Sequence, residues 1–223
     1  MTRLGYEEVA CVLMAALILT LCTHSYINGF CYEYERNNGL FCAFFCIMPV
    51  ILKRSKAFTL PGPFVLLILA AIAFHAFGVL YFSYDELYYY DNLTHTLSSV
   101  TVSACVYLTL ICYQVYNGSF RLTPLAMALL SAMFMMTLSV CWELLEYVVD
   151  VVTGTNMQYS PTDTIRDMLC NTIAASAASI VMYRYTKRRG PEQIVESLCI
   201  HPALRRFVAW GSDGKRRLYD FIK

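Results

Sequence analysis

The sequence predicts an all-α protein: a polytopic transmembrane helical bundle of about six spans, followed by a short amphipathic C-terminal tail on the cytoplasmic side. Three observations point there. Apolar residues make up 58% of the chain and charged ones only 15%, against about a quarter in soluble domains. The apolar residues gather into runs close to the ~20 needed to cross a bilayer. Lys and Arg cluster in alternate connections between those runs, as cytoplasmic loops do.

The candidate spans, in order, are Val9 to Ile27, Leu40 to Leu52, Pro63 to Phe82, Asp91 to Tyr116, Pro124 to Val152 and Pro161 to Tyr185. A membrane domain over 1–187 and a tail over 188–223 follow from these limits. The first run is read as an uncleaved span and not as a signal peptide, because a lone Arg3 precedes Glu7 and Glu8 and no small-x-small cleavage site follows. The second, about 13 residues, is short: it must tilt little, borrow flanking residues or be partly re-entrant. The third carries one central ionisable group, His75, whose expected role is a hydrogen bond to a neighbouring helix.

Six spans place every Lys and Arg except Arg36 and Arg166 on the side of both termini, which is therefore expected to be cytoplasmic. This is the pattern of a multi-pass protein of the cell (inner or plasma) membrane. Tyr81, Tyr84, Tyr88, Tyr89 and Tyr90 then fall in an outer loop, where an interfacial aromatic belt is expected. Eight of the 10 cysteines lie inside candidate spans and lack C-x-x-C spacing, so they read as small packing residues. Cys31 is expected to be exposed on the outer side.

Three polar clusters interrupt the apolar runs, all at the outer end. Asp91 and His95 open the fourth span one helical turn apart, on one face, extended by Ser98 and Ser99. Asp91 alone could serve as an N-cap, but His95 lies a turn inside the membrane, where ionisable groups are costly and usually functional. Glu143 and Glu146 close the fifth span; Asp150 beyond them is expected to be solvated. In the sixth, Ser160-Pro161-Thr162-Asp163 reads as a helix start, with Ser160 as N-cap and Asp163 three positions on. Asp167 and Asn171 continue that stripe into the span, ahead of Ala174 and Ala178, whose small side chains let helices approach.

The candidate site is thus Asp91, His95, Glu143, Glu146, Asp163, Asp167 and Asn171, with Arg166 beside it. So many carboxylates at close range require shared protons, pairing with Arg166 and protonated His95, or a divalent cation. Carboxylates plus one imidazole suit Mg²⁺, Mn²⁺ or Zn²⁺. The inward member of each cluster, His95, Glu143 and Asp167, is the expected metal-ligand set.

The set D-x-x-x-H (Asp91, His95), E-x-x-E (Glu143, Glu146) and D-T-x-x-D-x-x-x-N (Asp163, Asp167, Asn171) resembles the YjdF-like bacterial membrane proteins over about Tyr81 to Ile180. It is similar, more loosely, to the VanZ-like family, where Glu146 is usually Gln. The resemblance implies a polytopic inner-membrane protein and no settled reaction; VanZ-like members are associated with glycopeptide-antibiotic resistance at the cell surface. Two classes of function remain open. One is a metal-dependent enzyme acting on a lipid or lipid-linked phosphate; the other is a transporter or structural protein whose polar residues form a proton or cation relay or a helix-packing seam. In the tail, Arg205, Arg206, Arg216 and Arg217 interleave with apolar Ile194, Val195, Leu198, Leu204 and Phe207, so the expected partner is anionic membrane lipid and not nucleic acid.

Overall fold

The computed structural model describes residues 5–209 apart from 82, 88, 118–120 and 155 and, at Asp85, the backbone alone. The helices are α1 (Tyr6–Ile27), α2 (Glu33–Arg54), α3 (Gly62–Leu80), α4 (Ser83–Glu86), α5 (Tyr90–Tyr116), α6 (Pro124–Thr153), α7 (Pro161–Arg189) and α8 (Pro191–Ser197). Residues 202–209 are also helical, and no strand occurs among the described residues.

The ends of the long helices follow from local chemistry. Thr123 caps α6 by accepting from the Ala126 amide at 3.1 Å, with Pro124 at the first helical position, and Gly154 ends it with φ +71°, a conformation that favours glycine. Ser160 caps α7 by accepting from the Asp163 amide at 3.2 Å, ahead of Pro161. The second span, short by its apolar run, belongs to a helix of 22 residues, roughly 33 Å at 1.5 Å per residue. Its first turns, from Glu33 to Asn38, are polar and hide its true start.

Four helices, α1, α3, α5 and α6, are long and apolar enough to cross a membrane. The six expected spans are therefore matched by six long helices, of which α2 and α7 fall short in composition. Glu33, Glu35 and Arg36 dilute α2, and Asp163, Arg166, Asp167 and Asn171 dilute α7.

The bundle is two three-helix groups, α1–α2–α3 and α5–α6–α7, joined through α3 and α5. Short connections make consecutive long helices antiparallel. At one end, Lys53 and Arg54 of α2 reach Glu7 and Glu8 of α1. At the other, Ser25 near the end of α1 donates to the Leu80 carbonyl at the end of α3 at 2.6 Å, and the antiparallel course of the long helices puts the starts of α5 and α7 and the end of α6 at that same end. The Glu7 end and the Asp91 end are thus opposite poles of the molecule.

Polarity is inverted relative to a soluble protein. Ser25, Ser99, Ser103 and Ser131 are fully buried, whereas Leu13, Phe41, Val152 and Ile173 are among many large apolar side chains left exposed. In lipid this costs nothing, because the surroundings are as apolar as a core, and small hydroxylated residues let the helices close on one another. The thiols Cys11, Cys42 and Cys46 fill the α1–α2 interface. Cys31 is a correction to the sequence reading: it is buried against Cys22 and Leu80.

The aromatic belt is likewise not a belt. Tyr90 is buried and donates to the Phe74 carbonyl at 2.5 Å, Tyr84 pairs with His75, and Tyr81 stacks on Phe77, leaving Tyr89 exposed; Tyr88 lies outside the described residues. In the tail, Ile194, Val195 and Leu198 are buried, the first two in a core with Tyr107, Ile111 and Met127, so these apolar positions face the bundle and not lipid. Two backbone bonds pin the segment there: the Thr59 amide donates to the Leu198 carbonyl at 2.7 Å, and the His201 amide to the Ala57 carbonyl at 2.8 Å. Leu204, Arg205, Arg206 and Phe207 remain exposed; Arg216 and Arg217 lie outside the described residues.

Candidate functional site

Helix α5 begins one residue earlier than the apolar run. Tyr89 takes the capping position, so Asp91 lies inside the first turn and its carboxylate is free to face the bundle. His95, one turn on, brings Nε2 within 3.4 Å of Asp91 Oδ1, with their side chains 10% and 19% exposed. From α7, Asp167 meets them at 2% exposure, and one ligand atom from each of Asp91, His95 and Asp167 lies within 4.8 Å of the others. Oxygen or nitrogen ligands on opposite sides of a metal at ~2.1 Å are about 4.2 Å apart, so small side-chain rotations close this set around a cation.

The expected ligand set was His95, Glu143 and Asp167; the acid that joins His95 and Asp167 within that limit is Asp91 instead. The physical reason is the i to i+4 spacing within α5, which delivers Asp91 and His95 as a unit. Glu143 comes from α6 and stands outside the trio. Its side chain is buried, and Oε1 has no hydrogen-bond partner among the described residues; the Thr164 hydroxyl is close by, but its oxygen is also unpartnered. Glu146, one turn further out, accepts from the Trp142 indole at 2.8 Å.

Asp163 and Arg166 pair with each other at the rim, and the Asp163 amide completes the Ser160 cap. Asp150 is not simply solvated. Its carboxylate accepts from the Met157 and Gln158 amides at 2.8 and 2.9 Å, closing the α6–α7 connection beside the site.

Asn171 ties three helices together. Its Oδ1 accepts from Ser99 at 2.6 Å, and its Nδ2 donates to Ser139 at 2.6 Å and lies 3.1 Å from His95 Nδ1. In this polarity His95 carries its proton on Nε2, facing Asp91. Rotating the amide by 180° lets Oδ1 accept from His95 Nδ1–H and from Ser139, while Nδ2 donates to Ser99, because hydroxyls reverse freely. The imidazole would then present an Nε2 lone pair toward Asp91 and Asp167, as a metal ligand must. The network supports both forms of His95 without losing a bond.

Sequence reasoning missed Asn92, whose Nδ2 donates to Asp167 Oδ1 at 2.6 Å, and also Ser139 and Gln158. Asn92 carried a usable signal: it sits next to Asp91 at the head of a span, where a second polar residue has no capping duty. Ser139 carried none, since α6 is rich in small residues that merely pack.

No curated protein and no solved structure matches the chain. A family model described as a predicted membrane protein (DUF2238) matches residues 9–188, which takes in nearly all of every long helix and the whole polar cluster. An all-helical bundle, turned apolar side outward and matched over most of its length by that model, belongs to the family of predicted membrane proteins DUF2238.

Proposed function

We propose that Asp91, His95 and Asp167 hold a divalent cation, Mg²⁺, Mn²⁺ or Zn²⁺, and that the centre acts on a phosphate-bearing lipid or lipid-linked precursor arriving from the outer leaflet. The observation that carries the reading is the convergence of three ligand atoms within 4.8 Å beside the unpartnered Glu143 oxygen. A buried carboxylate oxygen without a donor is expensive unless a cation or proton comes to it. Two carboxylates and an imidazole suit these metals, and a cation there would supply Lewis-acid polarisation of a phosphate oxygen. The chain's own residues do the rest: Asn171 fixes the His95 ring, Asn92 holds Asp167, Glu143 offers an acceptor for a proton released at the site, and Arg166 adds positive charge at the rim.

The outer-leaflet location is supported by the Lys and Arg distribution, which favours the Glu7 end as the cytoplasmic one of a cell membrane. The motif set Asp91–His95, Glu143–Glu146 and Asp163–Asp167–Asn171 further supports kinship with the YjdF-like proteins. A second reading, a polar seam without chemistry, is favoured by one observation: Asn171 is fully bonded across α5, α6 and α7.

Metal analysis of the purified protein, with lipid identification by mass spectrometry, separates the two. The expected result is a stoichiometric divalent metal that is lost in Asp91→Asn. A metal-free wild-type protein that also carries no lipid overturns the cation reading and leaves the seam. For orientation, Ser55→Cys on a thiol-free background should resist an impermeant reagent in intact cells; labelling there moves the site to the cytoplasmic side.

A further inference from the structure

Three bonded residues set the register of α5, α6 and α7. Asn171 accepts from Ser99 and donates to Ser139, each at 2.6 Å, so these three stand at one depth in the bundle. One turn outward from each, about 6 Å along the helix axis, come His95, Asp167 and Glu143. The next turn outward brings Asp91, Asp163 and, three residues past Glu143, Glu146. Two of these acids at the mouth are accounted for, since Asp91 belongs to the trio and Asp163 pairs with Arg166. The third is not. Glu146 accepts from the Trp142 indole through Oε1 at 2.8 Å, and its Oε2 has no hydrogen bond among the described residues.

Glu143, one turn deeper on α6, is buried with Oε1 unpartnered. Residues three apart on a helix are neighbours, about 5–6 Å between Cβ atoms, so the two glutamates share one side of the mouth. Trp142 stands beside them, 44% exposed on the outside of the bundle. Arg166 and a divalent ion together balance three of the five carboxylates at this end. An anionic headgroup would raise the remaining excess of negative charge, whereas a zwitterionic one adds nothing and sets its cation against the excess. The type of cation follows from the partners. A quaternary ammonium has no N–H to donate and is recognised by cages of aromatic faces. Here one indole stands beside a carboxylate with an open acceptor oxygen, which suits a primary ammonium with its three donors.

We propose that Glu146, with Trp142 beside it and the charge of Glu143 behind it, binds the primary ammonium of a phospholipid headgroup, so that the lipid taken by the site is of the phosphatidylethanolamine type, with a phosphate and an ammonium on one headgroup. The exposed Trp142 puts this subsite on the side of the bundle from which a lipid would approach, and the trio lies behind it. Selection then comes from the mouth and chemistry from the interior. The assignment of this lipid as substrate rests on the cation reading above, whereas the ammonium subsite does not.

The test titrates the full-length protein in detergent, with and without Mn²⁺, with phosphatidylethanolamine, phosphatidylcholine and phosphatidylglycerol of identical acyl chains, and reads binding by native mass spectrometry. Phosphatidylethanolamine should bind about tenfold or more tightly than the other two, the weight of one charge-assisted hydrogen bond. Glu146→Gln should remove that preference while keeping Mn²⁺ binding and the thermal midpoint. Phosphatidylethanolamine bound no more tightly than phosphatidylglycerol, or equally well by wild type and Glu146→Gln, overturns the proposal. Phosphatidylcholine bound as tightly as phosphatidylethanolamine overturns the primary-ammonium assignment. The wild-type comparison needs no variant, so an unstable Glu146→Gln leaves it decisive. A wild type that shows the preference and binds no Mn²⁺ counts against the cation reading alone.

Discussion

The two ends of the bundle treat charge in opposite ways. At the Glu7 end, Lys53 lies 2.7 Å from Glu7 and 3.2 Å from Glu8, and Arg54 lies 2.7 Å from Glu8, so two acids meet two bases. At the Asp91 end, Asp91, Glu143, Glu146, Asp163 and Asp167 face one imidazole and one guanidinium, and Glu143 keeps an oxygen without a partner. The first arrangement staples α1 to α2 and has no use for a ligand. The second is deficient in positive charge. Paired charges report architecture, whereas an uncompensated set requires shared protons or a cation, and the cation is the reading proposed above.

The largest effect should come from removing a member of the deficient set. Asp167→Asn or His95→Ala should weaken Mn²⁺ binding by more than about a hundredfold, since each supplies one of three ligands. Glu7→Gln should leave binding unchanged and lower the thermal midpoint instead. Equal loss of metal in Glu7→Gln would break the contrast between the ends.

Asn171→Leu should come next. It removes three interhelical contacts averaging about 0.6 kcal/mol each in a membrane, hence about 2 kcal/mol of stability, measurable by unfolding in mixed detergent. It should also abolish the tautomer control of His95. A variant as stable as wild type would show that the seam contributes nothing and leave Asn171 with the site alone.

Gly78→Ala should cost about 1–2 kcal/mol through overpacking against Tyr84 and Tyr90, and should shift the ¹⁵N ring signals of His75, whose Nδ1 lies 2.8 Å from the Tyr84 hydroxyl. The smallest effect per side chain belongs to the Glu7 side. Replacing Arg205 and Arg206 by Gln should lower binding to anionic vesicles by about fivefold per residue, given ~1 kcal/mol for each basic group at the surface, with no change on neutral vesicles. Insensitivity to vesicle charge would confine the role of Arg205 to its contacts with Tyr116 and the Ile200 carbonyl.

The helices were readable because lipid imposes a strong, simple demand on composition, and α1, α3, α5 and α6 meet it with little ambiguity. The start of α2 was not, since Glu33 to Asn38 look like loop and become helical only by packing on α1 and α3. At the candidate site, the stripe Asp163, Asp167 and Asn171 was visible from four-residue spacing, and so was the Ser160 cap. The ranking of Asp91 against Glu143 was hidden, because it depends on whether α5 starts at Tyr90 or Asp91, a difference of one residue that decides between a cap and a ligand. The inward turn of Tyr84 and Tyr90 was equally hidden, since it depends on the space at Gly78, a property of three elements at once.

The backbone bonds from Thr59 to Leu198 and from His201 to Ala57 bear on the order of assembly. Four of the six long helices, α3, α5, α6 and α7, lie between their partners along the chain. During synthesis α1, α2 and α3 can pack as neighbours, but the turn between α2 and α3 meets its partners only after α7 has been inserted and α8 has been made. That turn is therefore a late checkpoint: a chain stopped before α8 would present an intact first group with a frayed loop, visible as a protease site near Ala57 that vanishes when synthesis reaches His201.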